Sequence, residues 1–443
     1  MKGDGWRVAL VALVVRLALV AWAGWRFPPV ADGFYYQRLA ERLASGGGYT
    51  WLWDDGAVTY AAHYPVGYPA AIAPLYALFG PAPVAAMIFN AYVGAIAAFA
   101  IHRVLARFRQ RGVALAGGLA VALHPALVGY TPALMTEGIA AVLLACALWA
   151  TDGARSSKRR LVAAGLLLGI ATLVRPQFLL LAPVFGWLGG TPRWKVRGAL
   201  LVTALALAVC LPWTIRNCSR MGRCALVSVN GGWNLLIGTQ PEGGGGWAPL
   251  QTPPACREVF DEAEKDRCFE DAAWERIRER PLAWLRLADD KLGVTFDYCG
   301  APGWYLHESN AQAFPHGAKI ALGAVETIYE RLALVLALFA CWPRARRRLR
   351  MGVILAGTAL AMTRHAWLAH LALLVALYAR SWRGSTLYSA AFFGIGSVAL
   401  VHVVFFGAGR YQLMVLPLMT ALAALGGARL IRAIVKERRA SRA

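Results

Sequence analysis

Residues 7–27 read RVALVALVVRLALVAWAGWRF, and residues 28–36 continue as PPVADGFYY. The first of these stretches lies in the range of roughly 17–25 residues that carries a helix across a bilayer. In lipid it must be helical, because nothing there satisfies bare backbone groups. It reads as a first span entering from the cytoplasm. Ala21-Trp22-Ala23 faintly resembles a signal cleavage site, but a polar, aromatic loop and many more apolar runs follow, so cleavage is not expected.

Further spans are expected near 83–104, 112–129, 134–151, 161–174, 177–190, 198–214, 317–342, 351–366, 367–380, 386–406 and 412–432. That makes about twelve with both termini inside. The fold class expected is therefore an all-α polytopic membrane protein. Its first outer loop, 28–82, holds a surface-lying helix from Asp32 to Leu43 and a short juxtamembrane helix from Pro65 to Phe79. Three regions follow from this reading. Residues 1–214 form an N-terminal membrane half, 215–313 a large outer loop, and 314–443 the last helices and a basic tail. The loop holds a Gly- and Asn-rich part, Asn230 to Trp247, then a charged helix near 257–292 interrupted at Pro281.

The chain has 443 residues, 58% hydrophobic and 16% charged, with a formal net charge of +22. A soluble basic protein would suggest nucleic acid. Here the cations cluster in the breaks between apolar runs: Arg103, Arg107, Arg109 and Arg111; Arg155, Lys158, Arg159 and Arg160; Arg193, Lys195 and Arg197. Later groups are Arg344, Arg346, Arg347, Arg348 and Arg350, then Arg429, Arg432, Lys436, Arg438, Arg439 and Arg442. Positive loops stay cytoplasmic, so the acidic stretch from Glu258 to Asp271 lies outside. No nucleic-acid partner is expected.

Cys146, Cys210 and Cys341 lie in apolar runs and read as packing residues. Cys218/Cys224 and Cys256/Cys268 are close pairs in the outer stretch and suit disulfides, with Cys299 left over. Zinc is the competing reading, but no CxxC or histidine spacing supports it.

Asp32 follows the first span. At the mouth of a membrane cavity such a carboxylate can take a proton from an acceptor hydroxyl; the competing role is a helix N-cap. Glu137 is the sole acid between Gly112 and Ala150, where a carboxylate is costly unless paired or wet. It reads equally as the first turn of an outer helix. Arg175, Arg216 and Arg410 each end a span on the outer side, and Lys291 can join them. Arginine suits phosphate through two parallel hydrogen bonds, although single arginines usually anchor to headgroups. Glu326, Glu330 and Arg331 read as a surface group, and Asp54-Asp55-Gly56 as a turn.

Several segments in order resemble one family: Asp32-Gly-Phe-Tyr-Tyr, Ser45-Gly-Gly-Gly-Tyr49, His63-Tyr-Pro-Val-Gly-Tyr-Pro69, Met135-Thr-Glu137 and Gly169-Ile-Ala-Thr-Leu-Val-Arg-Pro176. Pro212-Trp-Thr-Ile-Arg-Asn217, Asn230-Gly-Gly-Trp-Asn-Leu-Leu-Ile-Gly238 and Gly409-Arg-Tyr-Gln-Leu-Met-Val-Leu-Pro417 complete the set. The whole resembles the bacterial branch of the GT-C glycosyltransferases that use polyprenyl-phosphate sugars, the superfamily of protein O-mannosyltransferases and the lipid A aminoarabinose transferase. The resemblance implies a GT-C-type helical core with its active site under the first loop. It implies Asp32 as catalytic base and Glu137 as a second acid of the site. Arg175, Arg216, Arg410 and Lys291 would hold the donor phosphate. Tyr35, Tyr36, His63, Tyr64, Tyr68, Asn217, Asn230 and Tyr411 are the substrate-lining candidates. Larger members carry an additional soluble domain; here a basic tail stands in its place, so acceptor choice is left open.

The activity implied is inverting transfer of a sugar from a polyprenyl-phosphate carrier to an envelope glycan, lipid or protein, at the outer face of a bacterial inner membrane. A lipid phosphate is a competent leaving group, so the site needs a base and positive charge and no cofactor. A divalent cation is compatible but not indicated. The competing functions are a transporter or flippase of lipid-linked saccharide, expected to show broken helices at the bilayer midplane, and a non-catalytic assembly subunit.

Overall fold

The computed structural model describes residues 3–154, 157–342, 348–381 and 385–440. Arg155, Arg344, Arg346, Arg347 and Arg442 of the basic breaks lie outside the described residues, as do the side chains of Arg350 and Arg439.

The first span is α1 (Asp4–Ala23). The first loop then carries α2 (Asp32–Ala44), strands β1 (Thr50–Leu52) and β2 (Val58–Tyr60), and α3 (Gly67–Phe79). Both loop helices were expected; the hairpin was not. Its strands are antiparallel, with Trp51 opposite Thr59, and Asp54-Asp55-Gly56 makes its turn, where Asp55 Oδ1 accepts from the Ala57 amide at 2.9 Å.

The chain next forms α4 (Pro83–Leu105), α5 (Arg111–Ala122), α6 (Pro125–Gly129), α7 (Thr136–Ala154), α8 (Lys158–Val174), α9 (Ala182–Gly189) and α10 (Lys195–Arg220). The region 215–313 carries α11 (Gly231–Ile237), α12 (Glu262–Glu279), α13 (Pro281–Phe296) and α14 (Ala301–Ser309). The expected charged helix is thus two, divided at Pro281, whose missing N–H and fixed φ suit it to open a new helix. The last helices are α15 (His316–Ala340), α16 (Arg348–Ala361), α17 (Ala366–Ser381), α18 (Thr386–Val404) and α19 (Leu416–Ala440).

A helix stands on each of the expected spans, although His124-Pro125 divides 112–129 into α5 and α6. Among the described residues, five helices are long and apolar enough to cross a membrane by themselves: Asp4–Ala23, Pro83–Phe108, Lys195–Arg220, Thr386–Val404 and Gly409–Arg438. The protein is a multi-pass membrane protein, and its shorter apolar helices persist because neighbours cover them. Alanine makes the close packing possible: Ala86, Ala91 and Ala98 of α4 are fully buried, and small residues let helix backbones approach in lipid. Arg16, midway along α1, is buried and donates through Nη1 to the carbonyls of Ala12 (3.1 Å) and Ala122 (2.9 Å).

The two ends of the bundle differ. At one, basic side chains tie helix ends together: Arg111 Nε to Asp4 Oδ2 at 2.8 Å, Arg107 Nε to Asp152 Oδ2 at 2.8 Å, and Arg432 Nη1 to Gln110 at 3.0 Å. At the other lie the first loop, the region 215–313 and the starts of α7 and α19.

Candidate active site

Four chain segments meet at that second end. Asp32 is the first residue of α2. It does not cap the helix, which corrects the competing role: Ala31 is the N-cap, and no side chain accepts there. Ala31 adopts φ 51° and ψ −135°, a region costly for a residue with a Cβ, and this sharp entry starts the helix at Asp32. Gly33 must lack a Cβ. One built there would lie 2.8 Å from the Tyr305 hydroxyl and 3.1 Å from the Leu134 carbonyl. The start of α2 is thereby pressed onto the segment leading into α7.

Glu137 is in the first turn of α7 and is fully buried. Arg175 follows α8, in extended conformation, because Pro176 behind it disfavours helical geometry. Arg410 lies in a 3-10 turn, Gly409–Val415, ahead of α19. Gly409 packs so tightly on the carbonyls of Tyr298 and Cys299 that a side chain there would collide with them.

These residues form one chain of charge. Arg410 Nη2 is 2.8 Å from Asp32 Oδ2, and Arg410 Nε is 3.3 Å from Glu137 Oε1. The same Glu137 oxygen pairs with Arg175 Nη2. Arg175 Nε also donates to Thr136 Oγ1 at 3.0 Å, and the Tyr130 hydroxyl donates to Glu137 Oε2 at 3.3 Å. Both guanidinium groups lie over the Tyr411 ring, at 5.0 Å for Arg175 and 5.2 Å for Arg410. The imidazole of His402 also stacks on Tyr411, with centroids 3.9 Å apart and an interplanar angle of 8°. Charge pairing permits this burial, since a lone buried ion costs several kcal/mol. The assembly is graded in exposure: the Glu137 side chain is closed off, whereas that of Asp32 keeps 31% of its surface open. Asp32 is the more accessible of the two carboxylates.

A wall of aromatic rings stands beside Asp32. Tyr35 stacks on Tyr64 with centroids 5.2 Å apart, and Tyr36 meets Tyr64 edge-on at 5.2 Å. Trp51 meets Tyr35 edge-on at 5.9 Å. Tyr35 is exposed, and His63 and Tyr64 are half-buried. Burial raises the pKa of Tyr36 and Tyr64 and pushes that of Tyr305 up to about 12, so these hydroxyls remain neutral. Burial likewise lowers the affinity of His63 for a proton.

Other candidates take different places. Arg216 does not join Arg175 and Arg410. Its Nη1 donates to the Ala61 carbonyl at 2.7 Å and to Asn217 Oδ1 at 3.1 Å, and its Nη2 to the Tyr49 carbonyl at 2.6 Å. Lys291 Nζ donates to the carbonyls of Val403 (3.0 Å) and Val404 (3.4 Å), at the C-terminal end of α18. Tyr68 and Asn217 are closed off and offer a substrate no surface. The Tyr68 hydroxyl donates to Asn90 Oδ1 at 3.3 Å, and Asn217 holds the carbonyls of Ala225 and Val227. Asn230 is half-buried at the start of α11, accepting from Ser228 at 3.0 Å. Glu326 and Glu330 are buried rather than on the surface, and Arg331 turns to the carbonyls of Asp297, Ala361 and Thr363. Cys218–Cys224 and Cys256–Cys268 pair as disulfides, and Cys299 is buried outside both. Sequence reasoning missed Tyr130, Tyr305 and His402, and the bond of Thr136 to Arg175. Only Thr136 adjoined a residue already singled out.

Comparison with known proteins places the chain beside glycosyltransferases of similar fold. Residues 63–215 match the family described as dolichyl-phosphate-mannose-protein mannosyltransferase. The oligosaccharyltransferase AglB of Archaeoglobus fulgidus, in complex with an inhibitory peptide and a dolichol-phosphate, superposes with a TM-score of 0.51 at 13% identity. That alignment covers 99% of this chain and 51% of that one. The apo form of the A. fulgidus enzyme gives 0.50 at 14% identity, over 99% and 52%.

Its fold is that of the GT-C glycosyltransferases.

The chain spans about half the length of the archaeal oligosaccharyltransferases it matches. ArnT from Cupriavidus metallidurans, bound to undecaprenyl phosphate, aligns over 96% of this chain and 78% of its own, at 15% identity and a TM-score of 0.40. Among curated proteins, sequence comparison finds no match. The match over residues 63–215 agrees with the resemblance read from the ordered motifs, and the superpositions on the archaeal enzymes show a shared fold.

Proposed function

We propose that this chain is an inverting glycosyltransferase. It moves a sugar from a polyprenyl-phosphate carrier to a hydroxyl of an envelope glycan, lipid or protein. One observation carries the reading: a substrate-accessible carboxylate, Asp32, lies 2.8 Å from a guanidinium that continues into a buried Glu137–Arg175 pair.

The acceptor oxygen attacks the anomeric carbon as its proton passes to Asp32. The bond from that carbon to the phosphate oxygen breaks with its electrons on the phosphate, and polyprenyl phosphate leaves. Direct displacement inverts the anomeric centre. Arg410, with Arg175 behind it, meets the charge that develops on the departing phosphate. The incoming donor competes with Asp32 for Arg410, and this exchange frees the carboxylate for the acceptor. The dolichol-phosphate held by AglB supports a lipid-phosphate ligand for this fold.

Orientation follows from charge. The ends of α1, α4, α5 and α19 that carry Arg107, Arg111 and Arg432 lie opposite the site, and the preference of basic segments for the cytoplasm turns the site outward. In a bacterium this is the outer face of the inner membrane.

The test is Asp32→Asn in purified, vesicle-reconstituted protein. It should insert and fold normally while transfer drops by about 10²–10⁴-fold, the usual worth of general-base catalysis. Full activity would refute the assignment. Movement of lipid-linked sugar between leaflets without a new glycosidic bond would replace the enzyme by a transporter.

A further inference from the structure

The acidic start of α12 belongs to the stretch expected outside the membrane, and one of its carboxylates is fully engaged by the first loop. Glu262 Oε1 accepts from Trp51 Nε1 at 2.5 Å. Its Oε2 accepts from the amides of Ala62 at 2.6 Å and His63 at 2.9 Å. The geometry points to Glu262 as a positioning residue that fixes the aromatic wall beside Asp32, and this rests on the transfer reaction proposed above.

The segment 61–63 has almost no freedom. The Ala61 amide donates to the Tyr49 carbonyl at 3.1 Å, and the Ala61 carbonyl accepts from Arg216. The Ala62 carbonyl accepts from the Val229 amide at 2.9 Å. Glu262 supplies the acceptors for the two amides that remain. Arg216 and Glu262 thus grip one short segment from opposite chemical sides, a cation on the Ala61 carbonyl and an anion on the Ala62 and His63 amides. The next residue is Tyr64, which stacks on Tyr35 and whose carbonyl accepts from the Tyr49 hydroxyl at 2.7 Å. Trp51, held by the same carboxylate, meets Tyr35 edge-on. Tyr35 lies on α2 three residues beyond Asp32, on the same helix face.

Glu262 is itself well anchored. Asp261 caps α12 through the amides of Ala263 (2.9 Å) and Glu264 (3.0 Å). The Cys256–Cys268 disulfide ties the preceding turn to the same helix. Asp266, one turn on, accepts from the Trp233 amide at 2.9 Å, and the Trp233 ring packs on His63 at 5.1 Å. Within the region 215–313, Glu262 is thus the carboxylate that holds Trp51 and the Ala62 and His63 amides of the first loop. The charges that act on the sugar bond sit on α2, α7, the turn after α8 and the turn before α19. The clasp holds none of them; it holds only the wall beside the base, where the acceptor hydroxyl arrives. Its loss should weaken acceptor binding and spare the chemical step.

Glu262→Gln and Glu262→Asp in the full reconstituted chain test this, with a polyprenyl-phosphate hexose as donor and a fluorescent alkyl glycoside as acceptor. In Glu262→Gln, amide hydrogen exchange should accelerate at residues 61–64. The acceptor KM should rise about tenfold, in line with the loss of charged hydrogen bonds. The kcat should stay within about threefold, and the Kd for undecaprenyl phosphate should not move. Glu262→Asp keeps both acceptor oxygens and should recover part of the KM. Unchanged exchange at 61–64, or a fall in kcat at constant KM, would overturn the positioning role. A wild-type chain that forms no glycosidic bond, with its loop amides protected, would instead overturn the transfer reaction.

Discussion

Glu137 Oε1 is shared by two guanidinium groups, Arg175 and Arg410, and only Arg410 reaches onward to Asp32. The buried acid is therefore a counter-charge that holds the arginines in place, and Asp32 is the more exposed acid of the two.

Glu137→Gln should leave Arg175 without a buried anion. Removing one partner of such a pair costs about 3 kcal/mol or more. The melting temperature in detergent should fall clearly, and undecaprenyl phosphate should restore part of it by supplying the missing charge. Equal melting temperatures for wild type and variant would show that Glu137 does not serve as the counter-ion.

Arg410→Lys should fail as a conservative change. Arg410 bridges two carboxylates through different nitrogens, Nη2 to Asp32 and Nε to Glu137. A lysine is a single point charge without that fork. Transfer should drop by a factor of about 10²–10³, comparable to removing one donor from a preorganised anion site. Initial rates at saturating donor give the answer, and activity near wild type would argue against a bidentate requirement.

Tyr411 offers its ring to both arginines, while its hydroxyl stands 3.5 Å from Arg410. Tyr411→Phe keeps the ring and should stay within about threefold of wild type. Tyr411→Leu removes two cation–π contacts, each worth roughly 0.5–2 kcal/mol, and should lose about ten- to hundredfold in kcat/KM. Identical losses in both variants would point to the hydroxyl instead.

Lys291 is pushed down to about 8 by burial, whereas a lysine in the unfolded chain titrates near 10.4. Between those values the unfolded chain keeps a proton that the folded chain has released, so stability increases as pH rises from about 8 to about 10. The melting temperature of wild type relative to Lys291→Met should therefore climb across that window. A pH-independent difference would mean that Lys291 does not titrate there.

The sequence by itself determined the environment, the helical class and the membrane orientation expected for the chain. Apolar runs of spanning length and cations confined to the breaks are local properties, and lipid leaves each run a single backbone solution. Ordered short motifs also picked out Asp32, Glu137, Arg175 and Arg410. Only the tertiary structure decided which of the candidate cations belong together. Arg216 and Arg410 look alike in the sequence, each near the end of an apolar run. One is consumed by backbone carbonyls of the first loop, and the other is paired with Asp32. The same holds for Glu262, one acid among many in α12, and for His402 beneath Tyr411. Each of these roles depends on a partner far away in the chain. A charge acquires its chemistry from the neighbours within a few ångströms, and folding alone chooses those neighbours.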